Sequence, residues 1–224
     1  MSKIEEKMGE SVKIGLDYES TEKLRSRIWR HKETWGKELH RSDLVYCPLK
    51  AYCRLTGVEA KPREKVVESW IVGTAIHEVI QRAFKEKEIK VSNGVIEAHL
   101  DTRYRGCPLE IKTTVLTISR PSEIPNEYIE QLIYGMVLEG KRTGYLLTLD
   151  IVNKTILVWK VRLTTTEWED WRDRMIVERS KILEAVQSRN PFILKPQIGE
   201  CSTCPYCYPD GCPLAKGIEG LCRP

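Results

Sequence analysis

Asp101, Glu110 and Lys112 occupy positions from which they could form a catalytic centre, because Asp101 lies in one predicted strand and the other two lie in the next. Side chains alternate along a strand, so Glu110 and Lys112 face one side while Ile111 faces the core. A hairpin would bring Asp101 beside them, and such charges are costly to bury unless something compensates them. A hard divalent cation, Mg²⁺ or Mn²⁺, would do so, and it could polarise a phosphoryl oxygen and lower the pKa of a bound water. Lys112 could orient that water or neutralise charge on the phosphate.

Three more polar residues could complete such a centre. His77 lies in the middle of an apolar helical stripe and could supply a nitrogen ligand, although a single histidine in that setting is more often a satisfied core residue. Gln131 and Tyr134 are spaced i and i+3 on a later helix and therefore face one way. Both also suit ordinary packing or surface positions. Without these three residues, the commoner interpretation of Asp101, Glu110 and Lys112 would be a solvent-facing strand with an ordinary Glu–Lys pair.

Eight cysteines in a chain without an export signal are expected to stay reduced, which favours metal or cluster ligation over disulfides. Their thiolates would select zinc or an iron–sulfur cluster. The spacing is close to the bacterial ferredoxin pattern, with a last gap one residue longer. The site could be local to the C-terminal tail, or it could combine three tail cysteines with Cys47 and join the two ends of the domain. The tail motif reads Cys201-x2-Cys204-x2-Cys207-x4-Cys212-Pro213.

Helices and strands alternate in an order that predicts an α/β fold, with a mixed sheet flanked by helices and a cysteine-rich tail. Asp101 and Glu110 fall on the two strands of the first predicted hairpin, and Gln131 falls on the helix that follows it. The predicted helices cover residues 20–35, 42–57, 64–87, 126–140 and 164–187, and the predicted strands cover 95–104, 108–116, 144–152 and 155–163.

The composition limits the classes of protein to which this chain could belong. The chain has 224 residues, of which 41% are hydrophobic, enough for a core and too many for wholesale disorder. It contains no apolar run near the ~18 residues that span a bilayer, and its start lacks a secretory signal, so we expect a cytoplasmic protein. The net charge of +4 is compatible with nucleic acid. The first predicted helix has basic residues that could guide a nucleic-acid backbone: Lys23, Arg25, Arg27, Arg30 and Lys32. Because acidic residues are interspersed with them, an ordinary exposed helix face explains the pattern equally well.

Together these pieces resemble the RecB-like nucleases of the PD-(D/E)XK superfamily. More narrowly, they resemble the small CRISPR-associated exonucleases that act during spacer acquisition and carry an iron–sulfur cluster. The resemblance extends from about Ser42 to Pro213. It is carried by motifs in the family's order: Ser42-Asp-Leu-Val-Tyr-Cys47-Pro, Gly73-Thr-Ala-Ile-His77, Asp101, Glu110-Ile-Lys112, Gln131-Leu-Ile-Tyr134 and the cysteine tail.

The resemblance implies a metal-dependent DNA exonuclease that acts on single-stranded ends, and CRISPR integrase proteins as partners. It is also compatible with endonuclease activity. It implies a restriction-endonuclease-like core over residues 42–190, preceded by an arm and helix over 1–41 and followed by an iron–sulfur segment over 191–224. In that family scheme Lys112 is the catalytic lysine, and Gln131 and Tyr134 lie at the rim near the nucleic acid. The Mg²⁺ or Mn²⁺ ligands are His77, Asp101, Glu110 and the Ile111 carbonyl.

The cluster ligands implied by the family are Cys47, Cys201, Cys204 and Cys212. Cys207 is an extra cysteine that the family's tail motif does not contain, and it is an alternative ligand. Because of this extra thiol, the cluster could be [4Fe–4S], which we favour, or [2Fe–2S]. The remaining cysteines would be structural or incidental: Cys53, Cys107 and Cys222. Two other functions are considered, a non-catalytic DNA-binding or adaptor module of a repair or CRISPR adaptation complex, and a zinc-ribbon scaffold on an unrelated core.

Overall fold

The computed structural model describes residues 38–61, 64–94, 96–208 and 210–215, and the predicted helix over 20–35 with its basic residues lies outside them. Two short helices come first, followed by a long one, a small hairpin and a main sheet with two more helices. The helices are α1 Arg41–Val45, α2 Pro48–Leu55, α3 Glu64–Gln81, α4 Asn126–Leu138 and α5 Thr165–Ser188. The strands are β1 Ile89–Ser92, β2 Glu97–Leu100, β3 Thr102–Tyr104, β4 Cys107–Thr114, β5 Thr143–Asp150 and β6 Thr155–Arg162.

The main sheet has four strands in the order β3-β4-β5-β6, and β1 pairs with β2 in a separate antiparallel pair. Strands β4 and β5 are parallel, with Glu110 beside Leu146 and Lys112 beside Thr148. A parallel pair needs a crossover, which α4 supplies. The other pairs in the main sheet are antiparallel. The predicted fold class, a mixed sheet flanked by helices, is confirmed.

The two faces of the sheet are covered by different helices. Leu146 on β5 is completely buried in the larger core, which includes residues of α4 and α5. Ile111 on β4 belongs to a smaller core on the opposite face, where Ile80 and Phe84 pack against it. Because side chains alternate, Glu110 and Lys112 share the α4 face while Ile111 is buried on the other. The alternation therefore sets which helix can reach Glu110.

Two predicted elements are divided in the structure, and a third is shorter than predicted. The predicted helix over 42–57 breaks at Cys47, which has an extended ψ of 116° because a residue that precedes a proline avoids the helical region. The predicted strand over 95–104 breaks at Asp101, between β2 and β3. The third is the long helix, which ends at Gln81 rather than 87 and leaves room for β1. Both breaks place a predicted functional residue outside regular structure.

No helix in the described ranges is both long enough and apolar enough to cross a membrane.

Candidate active site and cysteine cavity

Glu110 and Lys112 form the centre of the candidate active site. Their side chains meet at 2.8 Å between Lys112 Nζ and Glu110 Oε1, and Glu110 is only 2% exposed. Lys112 also donates to Gln131 Oε1 on α4. The structure thus brings Gln131, one of the predicted site residues, to the two β4 residues, because α4 covers this face of the sheet.

Asp101 and His77 lie next to this pair. Asp101 Oδ2 accepts a hydrogen bond of 2.6 Å from the Ile111 N–H and lies 3.0 Å from His77 Nε2. Helix α3 lies close to β4 at this position, since a Cβ on Gly73 would be in ordinary van der Waals contact with the Thr113 hydroxyl at 3.4 Å. His77 follows one helical turn later and therefore faces Asp101. Five predicted site residues and the Ile111 backbone thus meet in one region.

Arg41 is a site residue that the sequence analysis missed. It lies on α1, is 7% exposed, and its Nη2 is 2.8 Å from Glu110 Oε2. It also donates to the carbonyl oxygens of Gln131 and His99, at 3.0 and 2.9 Å. A single basic residue has no periodicity that would reveal such contacts. The available signal is its position directly before Ser42, the first residue of a segment already identified as a motif.

The charges in this region shift one another's pKa values. Burial alone would raise the pKa of Glu110, but attraction to Arg41 and Lys112 outweighs it and holds the pKa below its usual value. The pKa of Asp101 is raised, by burial and then by repulsion from Glu110. Burial opposes protonation of His77, yet its hydrogen bond to Asp101 prevails and raises its pKa. Glu110 is accordingly held ionised by cations, whereas the charge on Asp101 is disfavoured.

Tyr128 places an aromatic ring beside Lys112 at this site, and Tyr134 does not. Tyr134 is completely buried, its hydroxyl donates to Glu178 Oε2 at 2.5 Å, and its ring packs edge-on against Trp171 on α5. Burial is the main cause that raises the pKa of its hydroxyl. Tyr128 lies three residues before Gln131 on the same face of α4, and Lys112 Nζ lies 5.6 Å from the centre of its ring. The structure does not bring Tyr134 to the cluster.

The side chains at this site are of types that bind a divalent cation, but they are not arranged around one. Two carboxylates and an imidazole are suitable ligands for Mn²⁺ or Mg²⁺. Within the described ranges, however, no three or more His, Cys, Asp and Glu side chains are grouped so as to hold a metal ion. The reason is visible in the contacts: Asp101 pairs with His77, and both Glu110 oxygens are taken by Arg41 and Lys112.

Cysteines from both ends of the described chain line one cavity. Cys47 reaches it from the break between α1 and α2, and the others come from the loops after α5: Cys201, Cys204, Cys207 and Cys212. Cys207 is disulfide-bonded, while the other four are free. Glu200 ties the two segments together, since it accepts from the Cys47 N–H at 3.1 Å and pairs with Lys50 at 3.3 Å. The cavity is thus shared by distant segments, although its thiols are not preorganised around a metal.

Cys53 also contributes to this region. It is completely buried, and its thiol hydrogen-bonds to Cys212, which lowers the pKa of Cys212 to about 6. Burial raises the pKa of Cys204 to about 11. Soft thiol donors are the appropriate set for zinc or an iron–sulfur cluster. Cys53, which the sequence analysis treats as surplus, therefore contacts a predicted ligand.

Comparison with known proteins gives a fold likeness at low sequence identity. No protein-family model matches the sequence, and no curated protein is detectably similar to it. The crystal structure of SSO0001 superposes with a TM-score of 0.54 at 17% identity, covering 90% of this chain and 96% of that one. The alkaline exonuclease LHK-Exo from Laribacter hongkongensis gives a TM-score of 0.49 at 13% identity, covering 73% and 95%. Its complex with dAMP gives 0.46 at 12% identity, covering 75% and 95%. This chain therefore has a fold like that of SSO0001.

Proposed function

We propose that this protein is a metal-dependent DNA nuclease. One observation supports this most directly: the hairpin segment and α3 bring two carboxylates, an imidazole and a lysine to the same place in the sheet. Lys112 and Glu110 are in contact there, and Asp101 is fixed by the Ile111 N–H. Buried charges of this kind are costly, and an exposed strand edge would not collect them. A phosphodiester hydrolase uses all of these groups.

Each residue then has a role that follows from its position. Asp101, Glu110 and His77 would hold Mg²⁺ or Mn²⁺ together with the Ile111 carbonyl. The cation would polarise a phosphoryl oxygen and lower the pKa of water. Lys112 would neutralise negative charge that develops on the phosphate. Gln131 accepts a hydrogen bond from the Lys112 ammonium group and so fixes its direction.

The substrate and biological setting extend this proposal. The order of the sequence motifs, from Ser42 to Pro213, supports an exonuclease that acts on single-stranded DNA ends. The same resemblance supports a function in CRISPR spacer acquisition, with integrase proteins as partners. Half-buried Tyr128 beside Lys112 is an aromatic surface of the type on which bases stack.

The cysteine cavity supports a second part of the proposal, an iron–sulfur cluster. Cys47, Cys201, Cys204 and Cys212 would be its ligands, and [4Fe–4S] is favoured over [2Fe–2S]. Cys207, the alternative ligand, is disulfide-bonded and would have to be reduced before it could bind the cluster. Free thiols from both ends of the described chain line this one cavity. The cluster would stabilise the fold by joining these ends, since metal binding is coupled to folding. Zinc in the same thiols would give a colourless protein, whereas an iron–sulfur protein is brown.

The test uses single-stranded DNA labelled at the 5′ or the 3′ end, incubated with Mn²⁺ and anaerobically purified protein. The wild type should shorten the DNA, and the ladder from each label gives the polarity. Lys112→Ala should abolish cleavage with the fold intact, because it removes the ammonium group beside Glu110. Lys141→Ala, which removes an exposed lysine outside the site, is the matched control and should cleave like the wild type.

Two outcomes contradict the proposal. Equal cleavage by the wild type and Lys112→Ala would remove the catalytic assignment. No cleavage by brown, folded wild-type protein would favour the adaptor function, in which the same core only positions DNA for a partner.

A further inference from the structure

Glu110 pairs with two cationic side chains of the protein itself. Arg41 Nη2 lies 2.8 Å from Oε2, and Lys112 Nζ lies 2.8 Å from Oε1. Lys112 is accounted for by the proposed chemistry, whereas Arg41 is not. A divalent cation that binds Glu110 must therefore share the carboxylate with Arg41 or displace it.

The position of Arg41 is fixed from several sides. Besides Glu110, its guanidinium group donates to the carbonyl oxygens of Gln131 and His99. Gly135 on α4 leaves space for it, since a Cβ at that position would lie 3.1 Å from Arg41 Nη1. With 7% of its surface exposed, the side chain has few alternative positions. Arg41 is therefore part of the site rather than a mobile surface cation that happens to lie nearby.

Without a metal ion the site carries no excess of negative charge. Asp101 and Glu110 bring at most two negative charges, Arg41 and Lys112 bring two positive charges, and a protonated His77 would add a third. A divalent cation would therefore leave an excess of at least two positive charges in a poorly solvated region, where like charges repel strongly. A phosphodiester chain carries one negative charge per linkage and would offset that excess.

We propose that Arg41 is a positioning residue that serves as the resident counter-cation of Glu110, so that the divalent cation binds tightly only together with a phosphodiester anion. The proposal rests on the proposed nuclease function. Without nucleic acid, Arg41 keeps Glu110 neutralised and the affinity for the cation is low. With nucleic acid, the phosphate supplies the missing negative charge. Cation and DNA then increase each other's affinity by the same factor, as linkage requires.

The test is a calorimetric titration of Mn²⁺ into the full chain, alone and with one of two oligothymidylates. The first has phosphorothioate linkages, which carry charge and resist cleavage, and the second has uncharged methylphosphonate linkages. In the wild type, the charged oligonucleotide should tighten Mn²⁺ binding by about tenfold or more, a usual size for coupling between two sites. The uncharged one should not change it.

Substitutions separate the charge of Arg41 from its structural contacts. Arg41→Gln keeps a hydrogen-bond donor but no charge, and it should tighten Mn²⁺ binding without DNA by about tenfold. Arg41→Lys keeps the charge and should leave binding weak. Arg54→Gln is the matched control, because Arg54 is a largely buried arginine on α2 that pairs with Asp43 and not with Glu110. It should leave Mn²⁺ affinity unchanged.

The outcomes are distinguishable. Folded Arg41→Gln with wild-type Mn²⁺ affinity would overturn the proposal and leave Arg41 a structural residue. If Arg41→Gln does not fold, the wild type decides: equal Mn²⁺ affinity with the charged and uncharged oligonucleotides would overturn the proposal. No Mn²⁺ binding by any folded variant, with or without DNA, would instead contradict the proposed nuclease function itself.

Discussion

Replacing Glu110 by glutamine should destabilise the metal-free protein, although removing one of two adjacent carboxylates usually relieves repulsion. Glu110 is 2% exposed, and both of its oxygens pair with cations, Arg41 and Lys112. Glutamine has nearly the same shape but no charge, so both cations would lose their partner in a buried region. Asp101 differs, since burial and repulsion from Glu110 raise its pKa and its ionised form costs stability. Asp101→Asn is therefore the matched control.

The magnitude follows from the burial of the group. Removing one partner from a buried ion pair costs about 3–5 kcal/mol, and the lower end applies because glutamine keeps a hydrogen-bond acceptor. In a chain of this length, about 3 kcal/mol corresponds to a fall of roughly 6–12 °C in the thermal unfolding midpoint. Asp101→Asn should leave the midpoint unchanged or raise it, because Asn can still accept from the Ile111 N–H. Both midpoints are measured by circular dichroism at pH 7 in EDTA.

A second comparison identifies which ion pair of Glu110 accounts for the lost stability. If the cost arises from the Arg41 pair, Glu110→Gln should cost much less in an Arg41→Gln background, since contacting residues are not additive. An unchanged or higher midpoint for Glu110→Gln in the wild-type background would refute the reasoning. It would mean that these cations do not hold Glu110 before a metal ion binds.

Three further predictions concern the proposed metal sites and the aromatic residues. EDTA should stop cleavage without bleaching the protein, because the hard cation and the thiolate-bound cluster are separate; loss of colour together with activity would contradict two independent sites. Cys47→Ala should lose iron, measured per chain after anaerobic purification, whereas Cys207→Ala should keep it, and the reverse pattern would favour a cluster local to the tail. Tyr128→Leu should weaken DNA binding several-fold, since aromatic stacking contributes about 1–3 kcal/mol per base. Tyr134→Phe, which loses only the hydrogen bond to Glu178, should bind DNA like the wild type in a fluorescence anisotropy titration, and a result with these two effects exchanged would restore Tyr134 to the rim.

Much of the fold follows from local patterns in the sequence. The predicted helix over 126–140 corresponds to Asn126–Leu138, and the predicted strand over 155–163 corresponds to Thr155–Arg162. Both have clear apolar periodicity between strong turn signals. The end of the long helix was not predictable in this way. Its last residue, Gln81, donates through its side chain to the Asp101 carbonyl oxygen, a contact between residues 20 positions apart.

The candidate site was predictable to the same degree. Glu110 and Lys112 follow from strand alternation, and Gln131 follows from helical spacing and the family motif. Arg41 does not follow, because its hydrogen-bond partners lie 58 and 90 positions away and only the folded chain brings them together. The i, i+3 spacing of Gln131 and Tyr134 predicts that the two side chains point the same way. In the structure, α4 packs against both α1 and α5, and Tyr134 lies on the side that packs against α5.

The long separation in sequence between Cys47 and the tail that shares its cavity has a consequence for biosynthesis. Cys47 leaves the ribosome 153 residues before Glu200, its hydrogen-bond partner in the cavity. At about 5–20 residues per second, Cys47 is present for roughly 8–30 seconds before the partner of its backbone N–H is made. During this interval the sheet and α5 are synthesised and can pack. An iron–sulfur cluster held by Cys47 and the tail cysteines would therefore be inserted late, into a core that has already begun to fold.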